Sequence, residues 1–181
     1  MNAKALPPNS PSPQSIAPDH MLLLDVQTLL YREAYYLDTR EWDSWLALFT
    51  DDVEFWMPAW LSEDQLATDP ELQLALLHCE GREDLEDRVF RIRTEDSLAS
   101  SPLPRSAHVV GNVLILGEDA GQTLVSASWT VHQYTRAKGP RVHGGRYEYR
   151  LRSCDEGLRI AAKKVIFLND GVDIPLDIYN V

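Results

Sequence analysis

The residues most able to do chemistry in this sequence are five histidines and two cysteines, and their spacing defines no metal site. His20, His78, His108, His132 and His143 form no HxxxH or HExxH pattern. Cys79 and Cys154 lie 75 positions apart, and neither has a histidine two residues away. Iron–sulfur clusters and mononuclear iron need thiolate, imidazole and carboxylate ligands at recognisable spacing. We therefore expect no iron on this chain and, without a phosphate loop or a GxGxxG, no nucleotide.

Two other groups of residues could form a functional site. Tyr36, Asp38 and His108 could make an acid–base pocket, since a desolvated Asp or an oriented His works near neutral pH. In the alternative interpretation Asp38 caps a helix and the interior is filled by the large rings of Trp42, Trp45, Phe55 and Trp129.

A polar network is predicted for Arg93, Arg105, His108 and Asn112, which lie where a helix ends and a strand begins. Buried polar groups require partners, and arginine supplies a rigid fork of donors. The alternative is that the arginines are simply exposed.

The composition predicts one soluble domain. The chain has 181 residues and a net charge of -11, which argues against nucleic-acid binding. Nine of its 17 basic residues lie between Arg136 and Lys164, either as a solvated face or as a patch for an acidic partner. Two cysteines without CxxC spacing, no secretory signal and no stretch near 18 apolar residues predict a cytoplasmic protein that does not enter a membrane.

The N-terminal half is predicted to be mainly helical. Residues 1–18, with five prolines, form a disordered or docking arm, and residues 19–181 a single domain. Asp19 caps a helix to Asp38 whose apolar stripe is broken only by Glu33. Further elements are a helix from a Thr39 cap to Phe49, a strand over 53–57, a strand or helical turn over 72–79, and a helix over 82–93.

The C-terminal half predicts four strands joined by short turns, over 109–116, 122–135, 142–153 and 158–169. Such neighbours must form an antiparallel meander. Val125, Ala127, Trp129 and Val131 alternate with more polar residues and should face the helices. The fold class is therefore α+β, with N-terminal helices on a long curved antiparallel sheet.

The outward side of this meander is the predicted interface between identical chains. Tyr147 and Tyr149 are assigned to it, together with Arg150 and Arg152, because aromatic residues and arginine are enriched in interface cores. On this interpretation, Tyr149→Asp should weaken assembly.

Several segments together resemble the small (β) subunit of ring-hydroxylating dioxygenases. They are the helical run from Tyr31 to Asp38 and from Trp42 to Asp52, the strand Val53–Pro58, Arg91–Thr94 followed by Pro104–Asn112, and Gly157–Asp170. The benzoate, anthranilate and halobenzoate types are the most similar. The resemblance implies a nuclear-transport-factor-2-like (NTF2-like) cone and a non-catalytic assembly subunit.

It further implies a trimer of this chain carrying three large subunits (α3β3). The large subunit would hold the Rieske 2Fe-2S cluster and the mononuclear Fe(II), and a reductase would deliver electrons from NADH. The complex would convert an aromatic, benzoate-like substrate to a cis-diol. The same fold also hosts dehydratases and isomerases, so a standalone enzyme using Tyr36, Asp38 and His108 is the alternative.

Overall fold

The computed structural model describes residues 20–94, 102–169 and 176–181, so the predicted arm at 1–18 lies outside the described residues. Three helices and six strands make up this part of the chain. In chain order they are α1 (His20–Thr39), α2 (Trp42–Leu46), β1 (Phe49–Pro58), β2 (Ala75–Glu80), α3 (Arg82–Arg93), β3 (Arg105–Asp119), β4 (Gln122–Thr135), β5 (Gly139–Cys154) and β6 (Gly157–Phe167), followed by a 3-10 turn at Ile178–Asn180.

The first two helices meet at a tight corner that the sequence interpretation placed wrongly. Thr39 was expected to cap the second helix, but its hydroxyl donates to the carbonyl of Tyr35 and completes the last turn of α1. Arg40 adopts a left-handed φ of 60°, and the N–H of Glu41 bonds back to Tyr36. This backbone reversal is a common way to end a helix. The second helix is therefore only five residues long, and β1 begins at Phe49.

The four C-terminal strands form the predicted antiparallel meander, β3–β4–β5–β6. Ala120 and Gly121 both have positive φ in the two-residue turn between β3 and β4, as a type I′ hairpin requires. The full order is β2-β1-β6-β5-β4-β3, and β1 runs parallel to β6. The sheet is therefore mixed, and the ambiguous segment at 72–79 contributes a strand, Ala75–Glu80.

The inner face of the sheet packs against the helices, as predicted for Val125, Ala127, Trp129 and Val131, all of which are buried. The rings expected to fill the interior, namely those of Trp42, Trp45, Phe55 and Trp129, belong to the same core. Helices closed by a bent sheet make this an α+β, NTF2-like cone.

Tyr147 and Tyr149 belong to this core, which corrects their assignment to the outward face. They pair across the sheet with Ala127 and Val125, and each is only 2% exposed. Directly paired residues share a face of the sheet, so the tyrosines point inward with their neighbours. Tyr149→Asp would therefore introduce a carboxylate into the core rather than test an interface.

Candidate functional site

The interior of the cone contains a buried polar cluster of Glu33, Tyr149 and Lys163. The Lys163 ammonium lies 2.7 Å from one Glu33 carboxylate oxygen, and the Tyr149 hydroxyl donates to the other at 2.8 Å. Lys163 also lies 4.1 Å from the centre of the Tyr147 ring, within cation–π distance. Every polar group of the cluster is thus paired, as burial demands.

Burial dominates the proton affinities of this cluster. It lowers the pKa of Lys163, an effect that the neighbouring Glu33 carboxylate partly offsets. It also raises the pKa values of Tyr147 and Tyr149 well above their ordinary range, and the negative charge of Glu33 raises them further. Both phenols therefore remain protonated at neutral pH, and Tyr149 acts as a donor to Glu33.

This cluster was not predicted from the sequence, although the sequence contains two signals of it. Glu33 was noted only as an interruption of the apolar stripe of the first helix, and that position is buried. Lys163 alternates with Ala161 and Val165 on the inward positions of β6. An acid and a base that each interrupt an apolar face predict an ion pair when those faces meet.

A second polar contact joins the end of α1 to the start of β3 through Asp38. Its carboxylate accepts hydrogen bonds from the Ser106 hydroxyl and the His108 backbone N–H, each at 2.8 Å. His108 Nδ1 lies 2.6 Å from the same carboxylate. The buried Nε2 of His108 has no partner among the described residues, which favours the tautomer with its proton on Nδ1.

This geometry brings together two of the three residues of the alternative acid–base pocket. Asp38 and His108 meet, whereas Tyr36 has a partly buried ring in edge contact with Tyr35. The Asp38 carboxylate, at the end of α1, accepts hydrogen bonds from Ser106 and His108 near the start of β3. These bonds hold the strand against the helix. The arrangement functions as a structural clamp.

Asp38→Asn is expected to lower the free energy of unfolding by about 1.5–3 kcal/mol at pH 7, the usual worth of hydrogen bonds to a charged group. Burial raises the pKa of Asp38, but the bonds from His108 and Ser106 outweigh it and hold that pKa below 3.8. The charged form therefore stabilises the fold above pH 3.8, and this contribution is lost as the pH falls through the lowered pKa. Urea unfolding of both proteins between pH 3 and 7 should show the difference shrinking towards acid; a constant difference would contradict this assignment.

The predicted network of Arg93, Arg105, His108 and Asn112 does not form as one unit. Arg93 pairs with Asp43 at 2.8 Å, and Arg105 stacks over Tyr134. His108 bonds Asp38, as described above, and the Asn112 amide donates to Ser128 at 3.2 Å. Asn112 has a φ of 51° at a break in the β3–β4 register, a conformation that Asn tolerates better than most residues.

The other two residues predicted for the interface, Arg150 and Arg152, are accessible but already paired within the chain. The Arg150 guanidinium donates a hydrogen bond to Asp119 at 2.8 Å. The Arg152 guanidinium donates to both carboxylate oxygens of Asp52, each at 2.9 Å. The Arg152 bond lowers the pKa of Asp52 to about 2. These two members of the basic cluster between residues 136 and 164 therefore form ion pairs on the chain's own surface.

The described ranges contain neither a metal-binding group of side chains nor a membrane-spanning helix. Within 20–94, 102–169 and 176–181, no three His, Cys, Asp or Glu side chains converge in a way that could hold a metal ion. No helix of these ranges is long and apolar enough to cross a bilayer. The described residues thus offer no donor set that fits a Rieske cluster or mononuclear iron.

A cone whose interior holds an aromatic core and the paired cluster of Glu33, Tyr149 and Lys163 is an NTF2-like domain. Comparison with known proteins identifies the family of this domain. The family model "Ring hydroxylating beta subunit" matches residues 32–173. The chain therefore belongs to the small-subunit family of the ring-hydroxylating dioxygenases, whose members are oxidoreductase components.

The relatives include subunits of dioxygenases named for benzoate-type compounds. The chain is 40% identical to the toluate 1,2-dioxygenase β subunit of Pseudomonas putida, over 86% of this chain and 96% of that one. The crystal structure of the benzoate 1,2-dioxygenase β subunit of Burkholderia mallei matches with a TM-score of 0.72 at 34% identity, covering 88% and 97% of the two chains. A scytalone-dehydratase-type structure from Novosphingobium aromaticivorans, 14% identical with a TM-score of 0.63 over 86% and 92%, shares the fold alone. The dehydratase alternative is thus not favoured.

Proposed function

We propose that this chain is the non-catalytic assembly subunit of a cytoplasmic oxygenase that converts a benzoate-like aromatic carboxylate to a cis-diol. The observation that carries the proposal is the family match over 32–173, in a chain whose buried Glu33 carboxylate is paired with Lys163 and Tyr149 inside the cone. The proposed partner is an oxygenase large subunit that holds the Rieske 2Fe-2S cluster and Fe(II). An NADH-dependent reductase would supply electrons to that partner.

The proposed complex contains three copies of each chain, and the small subunits form a closed ring. Support comes from the outward side of β3, β4 and β5, which exposes large apolar side chains. We call these residues the outer patch: Val109, Leu114, Leu116, Tyr134 and Val142. Exposed apolar groups of this size on adjacent strands mark an interaction surface on a soluble protein. Because Tyr147 and Tyr149 are buried, the outer patch is now the proposed contact between copies. Arg150 and Arg152 lie at its border.

The experiment that tests this function is co-expression with the oxygenase large subunit encoded in the same genome. The mass of the intact complex and the iron content of each separated chain are then measured. We expect equal numbers of the two chains, with iron retained by the large subunit.

A further inference from the structure

Residues 177–181, which we call the latch, are buried along their whole length. Each of the five is at most 3% exposed, and Ile178, Tyr179 and Val181 belong to the apolar core of the cone. The latch contains the 3-10 turn and pairs with none of the described strands. Because buried backbone groups need partners, the polar groups of the latch must be satisfied by contacts other than a strand ladder.

Hydrogen bonds inside the latch make it a compact unit. The Asp177 carboxylate accepts from the Ile178 N–H at 2.8 Å, and the Asn180 side-chain carbonyl accepts from the Asp177 N–H at 2.7 Å. These reciprocal bonds form a capping box around the 3-10 turn. All of them are local in sequence, so the latch keeps them when it moves as a whole.

Gln133 attaches the latch to the sheet. This buried residue lies near the end of β4, and its Nε2 donates to the Tyr179 carbonyl at 2.9 Å. Its side-chain carbonyl accepts from Asn180 Nδ2 at 3.1 Å. Both ends of one amide thus bind the latch, and replacing that amide with an apolar group would break two bonds inside the core.

The latch also lies near α3 and β2. Burial raises the pKa of Asp177, an effect that the Ile178 N–H partly offsets, as do the positive charges of Arg88 and Arg91 on α3. Burial likewise raises the pKa of the Cys79 thiol on β2, and the charge of Asp177 raises it further. In the sheet, three strands separate β2 from β4. The latch therefore joins parts of the cone that the sheet itself holds apart.

We infer that the latch closes the cone over β2 and opens as a unit while the sheet stays folded. Side-chain hydrogen bonds attach it to β4, whereas β4, β5 and β6 are held by continuous ladders of backbone bonds. Segments without such ladders open at a lower free energy than the whole fold. Opening of the latch uncovers the Cys79 thiol, which is buried in the closed state.

Thiol labelling of the full chain tests this inference. Cys154 is exposed and should react at once, whereas Cys79 should react only through opening, so the first serves as an internal reference. Gln133→Leu removes both bonds to the latch, and Asn180→Ala alters the latch without changing the sheet. Thr50→Val is the matched control, because it removes a buried, hydrogen-bonded hydroxyl from β1 instead. Peptide mass spectrometry identifies the labelled thiol, and circular dichroism checks that each variant is folded.

We expect Cys79 to be labelled about 10-fold faster or more in Gln133→Leu and in Asn180→Ala, because each leaves buried polar groups without a partner. Thr50→Val should be labelled like the unmodified chain. In the unmodified chain the rate should change little at low urea, since opening the latch exposes far less surface than unfolding.

Three results would each overturn the inference. Either latch variant, when folded, could label Cys79 no faster than the unmodified chain. Thr50→Val could accelerate the labelling equally, or the labelling rate of the unmodified chain could rise with urea as steeply as global unfolding does. If Gln133→Leu does not fold, Asn180→Ala decides, because that substitution leaves every strand unchanged.

Discussion

Replacing Glu33 with leucine is expected to lower the free energy of unfolding by about 3–5 kcal/mol at pH 7, the usual cost of leaving one member of a buried ion pair alone. The substitution removes the carboxylate that pairs with the Lys163 ammonium and accepts the Tyr149 hydroxyl. Both side chains are buried, so water cannot replace the lost partner. Urea unfolding followed by tryptophan fluorescence measures the effect.

The matched control replaces both charges, with Glu33→Leu and Lys163→Met in one chain. Removing a buried pair together is often nearly neutral, so the double variant should recover most of the lost stability. Burial also lowers the pKa of Lys163 from 10.5. Between this lowered pKa and 10.5, Lys163 is protonated in the unfolded chain but neutral in the folded chain. The free energy of unfolding of the single variant should therefore rise as the pH increases towards 10.5. A loss below about 1 kcal/mol, or no recovery in the double variant, would show that the pair does not stabilise the cone.

Replacing Gly145 with alanine is expected to destabilise the sheet by about 3 kcal/mol or more, the upper range for overpacking a core. Gly145 lies between Trp129 on β4 and Phe167 on β6, whose rings meet edge to face with centroids 5.3 Å apart. A methyl group there would collide with the carbonyl oxygen of Ile166 and lie 3.1 Å from the Cα of Phe167. These are backbone atoms of a paired strand, so they cannot move without disturbing the β5–β6 register.

Gly111→Ala is the control for this prediction. A methyl group at Gly111 meets nothing within 4 Å, although that glycine also lies in a strand of the meander. Neither glycine has a positive φ, so the comparison isolates steric crowding from backbone strain. Thermal unfolding should show a large decrease in melting temperature for the Gly145 variant alone. Equal melting temperatures for the two variants would contradict the close packing described here.

The elements with strong local signals were predictable from sequence. Gly81 followed by an amphipathic run predicted α3 with correct bounds, and turn residues predicted the hairpins of the meander. The bounds of β4 were also correct, because alternation of apolar and polar residues is clear along that strand. Local chemistry was sufficient in these cases, since each signal lies within a few residues of the feature it specifies.

The errors arose where distant parts of the chain decide the outcome. Thr39 is the local exception: it has the chemistry of a helix cap, yet the left-handed turn at the adjacent Arg40 makes it the end of the preceding helix. Period-two alternation placed Tyr147 and Tyr149 on one face of β5 but could not say which face was inward; pairing with Ala127 and Val125 decides that. The parallel β1–β6 contact likewise depends on the whole fold, because its strands lie about a hundred residues apart.

The role of this chain as an assembly subunit is tested by the native mass of the chain co-expressed with a large subunit, together with the iron content of each chain after separation. We expect one complex with three copies of each subunit, with iron retained only by the large subunit. The chain purified alone should assemble into a ring free of iron. A chain that purified with stoichiometric iron of its own, or that formed no complex with the large subunit, would contradict the assignment as a non-catalytic assembly subunit.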